Sequence, residues 1–293
     1  MEDVVLEIIP PAASWNKEKI LRYCHNVTSL LRTQNIFSVC IPEVVDENRE
    51  GERVASFDDK MDNVEFALLL KQHYHDIVPI ICKICVRLEK SEFADWLKKV
   101  YEKGINHIIL VGGEKHDVEY PGFNVLEAAN FIKTHYPKIK IGGIIIFTRA
   151  NEVTHIINKM KAGIEFFCSQ IIFETANMKQ ILTNLSRQCK HEGLCMPKIY
   201  LSLALASKTK DIDFMKWLGV EFPTAIYGYL TEKPEDHVES HSIEVVDTIL
   251  DEIFHFVDKE KLDLGFNIEH VMYTNLMLSQ KLFKIVRQRI AQE

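Results

Sequence analysis

The chain alternates between short apolar runs and longer segments in which apolar residues recur with helical spacing. The short runs are rich in Val, Ile and Leu and show little alternation with polar residues, which is typical of strands buried on both faces. The runs predicted as strands cover residues 4–9, 36–41, 77–86, 107–113, 139–147, 165–173, 198–206 and 262–271.

The segments between these runs have the period of amphipathic helices. Near the N-terminus, for example, Ile20, Cys24, Val27 and Leu31 fall on one face. The segments predicted as helices cover residues 16–34, 61–76, 91–104, 124–136, 150–163, 177–190, 210–219, 242–260 and 275–292. Strands and helices therefore alternate through roughly eight units.

Eight strand–helix units are the number in a (β/α)8 TIM barrel, so we predict an α/β protein with one barrel domain over residues 1–293. A doubly wound open sheet is the main alternative, but it usually has fewer strands and a glycine-rich first turn. The first turn here, IIPPAAS, contains no glycine. Two connections, 42–60 and 220–241, are long enough to be either solvated loops or lids over a site. The first leaves the C-terminal end of a strand, which favours a lid there.

Composition excludes several classes of protein. The chain has 293 residues, 47% of them hydrophobic, and a formal net charge of −7, whereas dedicated nucleic-acid binders are normally basic. No apolar run reaches the roughly 18 residues of a membrane span. The N-terminal sequence MEDVVLEIIPP lacks the features of a secretory signal or a transit peptide. Seven scattered cysteines are typical of reduced thiols, so we expect a cytoplasmic protein.

Two polar residues inside predicted strands are candidates for chemistry. Active sites of such barrels gather at the C-terminal ends of the strands. Glu7 stands among apolar residues, where an unpaired carboxylate is costly. It therefore needs either a buried Lys or Arg as partner or a raised pKa, and a raised pKa makes a carboxyl a proton donor near neutral pH. Gln170 could satisfy a backbone group or bind the amide edge of a heterocycle.

Other pairs of polar residues are weaker candidates. Glu269 and His270 are adjacent, and adjacent residues of a strand face opposite sides, so a shared pocket is not expected. Cys82 and Cys85 have the spacing of a redox motif, but within a strand they also face opposite ways. No second cysteine pair completes a zinc site, and we predict no metal centre.

Four stretches, in order along the chain, resemble the methylenetetrahydrofolate reductase family. They are VVLEIIPP (4–11), GINHIILVGGEKH (104–116), KMKAGIEFFCSQIIFE (159–174) and KIYLSLALASKTKDIDFMKWLGVEFP (198–223). The third is the most specific, because Ala-Gly precedes a strand that ends in Gln, three apolar residues and an acid. The chain is similar to a distant member of this family, and the resemblance implies the same barrel fold.

The resemblance also implies an activity. NAD(P)H would reduce FAD, and the flavin would pass hydride to 5,10-methylenetetrahydrofolate in the one-carbon metabolism that leads to methionine biosynthesis. By position, Glu7 would be the general acid, and Glu114 would lie near the flavin and the pterin. Gln170 would bind the folate, and Lys159 would lie near the FAD phosphates.

Many positions that would surround the flavin carry other residue types than the family has. The residues at cofactor-binding positions are Cys40, Cys82, Gly112, Gly113 and Ile146. The family has Thr at the position of Cys40, His at that of Cys82, Arg at that of Gly112 and Tyr at that of Ile146. The two glycines also let a ligand such as a phosphate approach the backbone closely.

The substrate site changes less. Lys208 falls where a Phe packs on the substrate, while the catalytic Glu and Gln are retained.

Three functions follow from these matches and departures. The first is an FAD-dependent reductase of methylenetetrahydrofolate or a related one-carbon substrate. The second is a flavin-free enzyme that keeps the folate site and uses a nicotinamide directly or works with another one-carbon enzyme. The third is a non-catalytic barrel that docks on a methyltransferase. The expected ligand is a folate-type small molecule, and the family implies a homo-oligomer or a partner subunit.

Overall fold

The fold is a closed barrel of parallel strands, which confirms the predicted (β/α)8 class. The computed structural model describes residues 3–46, 57–113, 118–232, 235–260 and 262–291. The strands within these ranges follow one another around the barrel in chain order, and the last pairs with the first. They are β1 (Val4–Glu7), β2 (Ser38–Ile41), β3 (Val78–Ile84), β4 (His107–Val111), β5 (Lys140–Ile145), β6 (Phe166–Ile171), β7 (Lys198–Leu203) and β8 (Leu264–Ile268).

Helices surround the barrel, and several of them begin at polar caps. Asn16 accepts the backbone N–H of Lys19 at 2.9 Å, and Asn124 and Glu127 form a reciprocal capping box. Within the described ranges, no helix is long and apolar enough to cross a membrane. The helices are α1 (Lys17–Thr33), α2 (Asn63–His73), α3 (Lys90–Glu102), α4 (Val125–His135), α5 (Glu152–Lys161), α6 (Ala176–Glu192), α7 (Thr209–Trp217), α8 (Thr224–Thr231), α9 (Val238–Glu260) and α10 (Leu276–Ile290).

The prediction of a loop over residues 220–241 is wrong, because this segment contains α8 and the start of α9. Pro223 stands at the N-cap of α8, where its missing N–H costs no helical hydrogen bond. Leu230 is buried, and Ile226 packs against the same apolar cluster. Tertiary packing therefore stabilises a helix whose proline, glycine and charged residues suggest a loop in the sequence.

The barrel interior is filled by side chains that alternate with those facing the helices. Phe166 and Tyr200 meet edge to face, with ring centroids 6.3 Å apart, and three cysteines belong to the same interior cluster. The side chains on the other face of the strands pack against the helices. Phe167 is an example and is fully buried. The cluster's other buried members are Val5, Cys40, Ile80, Cys82, Ile109 and Cys168. The interior is thus packed, and open space lies at the C-terminal ends of the strands.

Gly142 allows the aromatic residues of the interior to pack this closely. A Cβ atom at this position would lie 2.5 Å from the ring of Phe166 and 2.7 Å from Ile109. We expect Gly142→Ala to lower the free energy of unfolding by about 1–3 kcal/mol, as overpacked core substitutions do. Urea denaturation measures this. Gly228→Ala is the control, because its nearest neighbour is the flexible end of Glu232 and alanine favours helix α8. Equal effects of the two substitutions would contradict the packing described.

Candidate active site at the mouth of the barrel

A cavity of about 380 Å³ opens at the C-terminal ends of β1, β2 and β8. This volume lies in the range of small-molecule sites, roughly 300–1,000 Å³. Glu7 and Glu269 line it from the strand ends, and aromatic side chains line it further out. These are Phe214 and Trp217 of α7, which stack at 5.9 Å, and Tyr273. The cavity therefore combines acidic groups with flat apolar walls.

Both described ends of the long connection after β2 line this cavity. Glu43 lines the cavity just after β2, and Phe57 and Lys60 line it where the chain returns. An isolated antiparallel bridge joins Lys60 to Ala12 in the turn after β1 and so fixes the returning segment. The middle of the connection, residues 47–56, lies outside the described part of the chain.

Glu7 and Glu269 occupy neighbouring positions on adjacent strands. Glu7 ends β1, where it pairs with Cys40 of β2. On the other side, Leu6 pairs with Ile268, and Glu269 follows Ile268 directly, so it stands one step along beside Glu7. Burial raises the pKa of Glu269 to about 7. Burial and then the charge of Glu269 raise the pKa of Glu7 well above its usual range.

Hydrogen bonds around the two carboxyls partly offset the effect of burial. Cys40 and Asn267 bond the Glu7 carboxyl, and Ser202 bonds Glu269, which favours the ionised forms. The amide Nδ2 of Asn267 also donates to Ser202 Oγ at 3.1 Å. Asn267 Oδ1 is buried and has no hydrogen-bond partner among the described residues, so it is a candidate acceptor for a ligand.

The structure favours the raised-pKa alternative for Glu7 over a structural ion pair. Within the described ranges, no Lys or Arg is ion-paired with Glu7 or contributes to its pKa. The buried Lys83 forms its ion pair with Glu43 at 2.5 Å instead. The pKa of Glu7 is therefore shifted upward by burial, which is the direction that a general acid near neutral pH needs.

His270 lines the same cavity, which corrects the expectation that Glu269 and His270 face opposite sides. β8 ends at Ile268, but the N–H of Glu269 still donates to the Leu203 carbonyl of β7, so the alternation extends to Glu269 and does not govern His270. The His270 side chain is fully buried, next to the backbone of Met272 and Tyr273. Burial lowers the pKa of His270 to about 4, so the ring is neutral at physiological pH.

Several residues expected at FAD are used within the protein. Lys159 Nζ donates to the Ile144 carbonyl at 2.6 Å, and burial lowers the pKa of Lys159 to about 8. The Ile146 N–H donates to Glu152 at 3.0 Å. The tyrosine ring of Tyr120 fills the space beside Gly113, where a Cβ atom would lie 2.4 Å from it. The positions of Lys159, Ile146 and Gly113 therefore have structural explanations, and none of them lines the cavity of Glu7.

The remaining predicted cofactor positions also lie away from this cavity or outside the described residues. Glu114 belongs to residues 114–117, which the structure does not describe. Gly112 does not line the cavity. Cys40 and Cys82 are buried in the barrel interior, with their Sγ atoms 3.5 Å apart. Cys85 donates to the carbonyl of Val111 instead, so the Cys82–Cys85 spacing brings no pair together.

The two residues expected at the substrate are not brought to Glu7 either. Gln170 borders a separate cavity of about 30 Å³, together with Glu174 and Glu221. Lys208 is the N-cap residue of α7, and its backbone N–H donates to Asp211 at 3.2 Å. Of the site residues predicted from the sequence, Glu7 is the one that lines the large cavity among those described.

The cavity's charged lining was mostly missed by the sequence analysis. Its acids within the described residues are Glu7, Glu43, Asp58 and Glu269, and its one basic residue is Lys60. Glu269 was considered as the neighbour of His270, but no pattern in the sequence distinguishes Asp58 or Lys60 from a solvated loop. We find no group of three or more His, Cys, Asp or Glu side chains in the described ranges that could hold a metal ion.

A (β/α)8 barrel with a pair of carboxyls at its mouth is the class of protein that the fold and the cavity define. The family model for the mycobacterial methylenetetrahydrofolate reductase matches residues 1–285, and the chain belongs to this family. This confirms the resemblance found in the sequence. No curated protein matches the chain significantly.

Solved structures support the fold. A Clostridium thermocellum protein described as binding two copies of 5-methyl-5,6,7,8-tetrahydrofolic acid has a TM-score of 0.82 at 21% identity, covering 97% of this chain and 95% of its own. Riboflavin lyase RcaE reaches a TM-score of 0.55 at 10% identity, with 98% and 91% covered. The long-chain alkane monooxygenase LadA reaches 0.54 at 9% identity, with the same coverage. At these identities the likeness concerns the fold alone.

Proposed function

We propose that this protein is a reductase that transfers a hydride from a nicotinamide directly to 5,10-methylenetetrahydrofolate or a related one-carbon folate, without bound FAD. The observation that carries this proposal is the Glu7 carboxyl, which lines a ligand-sized cavity and has a pKa raised mainly by burial. A proton from Glu7 goes to a nitrogen of the five-membered ring as the bond from that nitrogen to the bridging carbon breaks. The resulting iminium carbon accepts the hydride, and Glu7 regains its proton from solvent.

Family membership and the cavity's chemistry support a folate-type substrate. A pterin ring is flat, and its amino group and ring N–H are hydrogen-bond donors. The ionised carboxylate of Glu269 is an acceptor for such donors, and the walls formed by Phe214, Trp217 and Tyr273 suit a flat ring. A solved structure with the same fold is described as binding 5-methyl-5,6,7,8-tetrahydrofolic acid, which is a reduced one-carbon folate.

The described lining of the cavity does not fit a tightly held FAD. FAD carries a diphosphate, while Lys60 is the one basic residue in the described lining and stands beside the acids Asp58 and Glu269. Like charges repel strongly in a poorly solvated cavity. Lys159, the expected phosphate ligand, already donates to a carbonyl of β5. A nicotinamide co-substrate leaves after each turnover, so its diphosphate can stay in solvent while the ring reaches the folate.

The experiment that tests this proposal combines three measurements on the purified protein. We expect no flavin absorbance before or after denaturation and none after incubation with FAD. We also expect binding of 5-methyltetrahydrofolate in calorimetry, and oxidation of NADH or NADPH that requires methylenetetrahydrofolate. Released flavin would overturn the flavin-free mechanism, and failure to bind the folate would overturn the substrate class. Folate binding without NAD(P)H oxidation would instead indicate the non-catalytic barrel.

A further inference from the structure

The register of the barrel places two carboxyls side by side on its inner face. Val5 pairs with Asn267 across β1 and β8, and two residues further along each chain come Glu7 and Glu269. Residues two apart on a strand face the same side, and adjacent strands lie about 4.8 Å apart. Both side chains line the same cavity. Two like charges in such positions destabilise each other, so the pair favours holding a proton.

We propose that Glu269 is a positioning residue for Glu7: the two carboxyls hold one proton between them around neutral pH, with Glu269 ionised and Glu7 protonated. The negative charge of Glu269 then keeps the proton on Glu7 until a substrate nitrogen takes it. This inference rests on the proposed function for its role in turnover, but the carboxyl pair itself exists in the ligand-free protein.

The two carboxyls differ in what raises the pKa of each. Hydrogen bonds favour the ionised form of both, from Ser202 at Glu269 and from Cys40 and Asn267 at Glu7. Burial raises the pKa of Glu269 to about 7, whereas the pKa of Glu7 is raised by burial and also by the charge of Glu269. The neighbouring charge therefore favours the proton on Glu7.

The other groups that face the pair leave this arrangement intact at neutral pH. Burial raises the pKa of the Cys168 thiol on β6 and keeps it protonated. Cys40 on β2 also stays protonated, because it contacts the Cys82 thiol of β3 and is buried. His270, after β8, is neutral because burial lowers its pKa to about 4. The other titratable residues that line the cavity in the described part of the chain are Glu43, Asp58, Lys60 and Tyr273, and Glu43 is ion-paired with Lys83.

The test is the pH dependence of Glu269→Gln. Turnover requires protonated Glu7, so activity falls as pH rises through the pKa of Glu7. Removing the neighbouring charge lowers that pKa, and we expect the alkaline limb of kcat/KM to move down by about one unit or more. Above the new limb, the variant should lose about tenfold relative to wild type for each unit of the shift. Glu269→Asp, which restores the charge, should return the limb towards its wild-type position.

A spectroscopic readout separates this proposal from the proposed function. Carbon-13 NMR of the glutamate carboxyls in the ligand-free protein reports the titration of Glu7, assigned from the resonance that Glu7→Gln removes. The Glu7 midpoint should move to lower pH in Glu269→Gln and stay in place in Asp263→Asn. Asp263 precedes the same strand at the opposite end of the barrel, where it pairs with Lys198 at 2.5 Å.

Two outcomes decide between the possibilities. An unchanged Glu7 midpoint in a folded Glu269→Gln protein would overturn the carboxyl pair, even if the protein reduces folates. A midpoint that moves in a protein without reductase activity would support the pair and refute the proposed function.

Discussion

Glu7→Gln is expected to lower reductase turnover by about 10²–10⁴-fold, the usual contribution of a general acid. Gln has nearly the volume of Glu, so the cavity and the packing of β1 should be retained, but an amide has no proton to transfer at these pH values. The affinity for 5-methyltetrahydrofolate should change far less, because this product no longer needs ring opening. Steady-state kinetics and calorimetry of the same preparation measure the two effects.

Asp263→Asn is a matched control for this substitution, since it also replaces a carboxyl by an amide but lies at the other end of the barrel. It should leave turnover unchanged. If Glu7→Gln binds folate and turns over at the wild-type rate, another group supplies the proton and Glu7 is not the general acid. A loss of binding together with turnover would instead indicate that Glu7 holds the substrate in its ground state.

The number of strands and the position of Glu7 could be predicted from the sequence because both depend on local patterns. Buried parallel strands are continuous apolar runs, and the eight runs could be counted directly. Glu7 stood out because an acid inside such a run needs a physical explanation. The structure agrees on both: the barrel is closed, and Glu7 has no ion-pair partner among the described residues.

The partners of Glu7 could not be predicted in this way, because they depend on where a strand ends and on contacts between distant residues. Glu269 and His270 border one cavity because β8 stops at Ile268, the residue before Glu269. Trp217 lies on α7, whose apolar residues recur with the spacing of any amphipathic helix. That spacing does not indicate that Trp217 lines a cavity.

Gly113 shows the same limit from the opposite direction. A glycine pair at a strand end suggested the close approach of a ligand, but the ring of Tyr120 takes that space. A glycine is needed wherever a bulky group approaches the backbone, and the sequence does not say whether that group is a ligand or another side chain.

The stability of the protein should depend on pH through two groups of the cavity that act in opposite directions. The pKa of His270 is about 4 in the folded protein and about 6.5 when unfolded, so its contribution to stability is lost as pH falls from about 6.5 to about 4. The pKa of Glu269 is about 7 when folded and about 4.3 when unfolded, so stability is gained as pH falls from about 7 to about 4.3. Each shift corresponds to about 3 kcal/mol, so the contributions of His270 and Glu269 are similar in size and opposite in sign. The raised pKa of Glu7 acts in the same direction as that of Glu269.

Single substitutions should expose the two contributions. As pH falls from about 7.5 to about 4, the free energy of unfolding of His270→Gln should rise relative to wild type by about 3 kcal/mol. That of Glu269→Gln should fall relative to wild type by a similar amount. Urea unfolding at a series of pH values measures both slopes. The double variant should differ from wild type mainly by the lost coupling between Glu269 and Glu7, because the two opposite single contributions offset each other. Slopes equal to that of wild type in both single variants would mean that neither group titrates differently in the folded and unfolded states. The stability change of Glu269→Gln with pH should be larger than the titration of Glu269 alone would give, because removing the charge of Glu269 also lowers the pKa of Glu7. The excess measures the coupling between the two carboxyls.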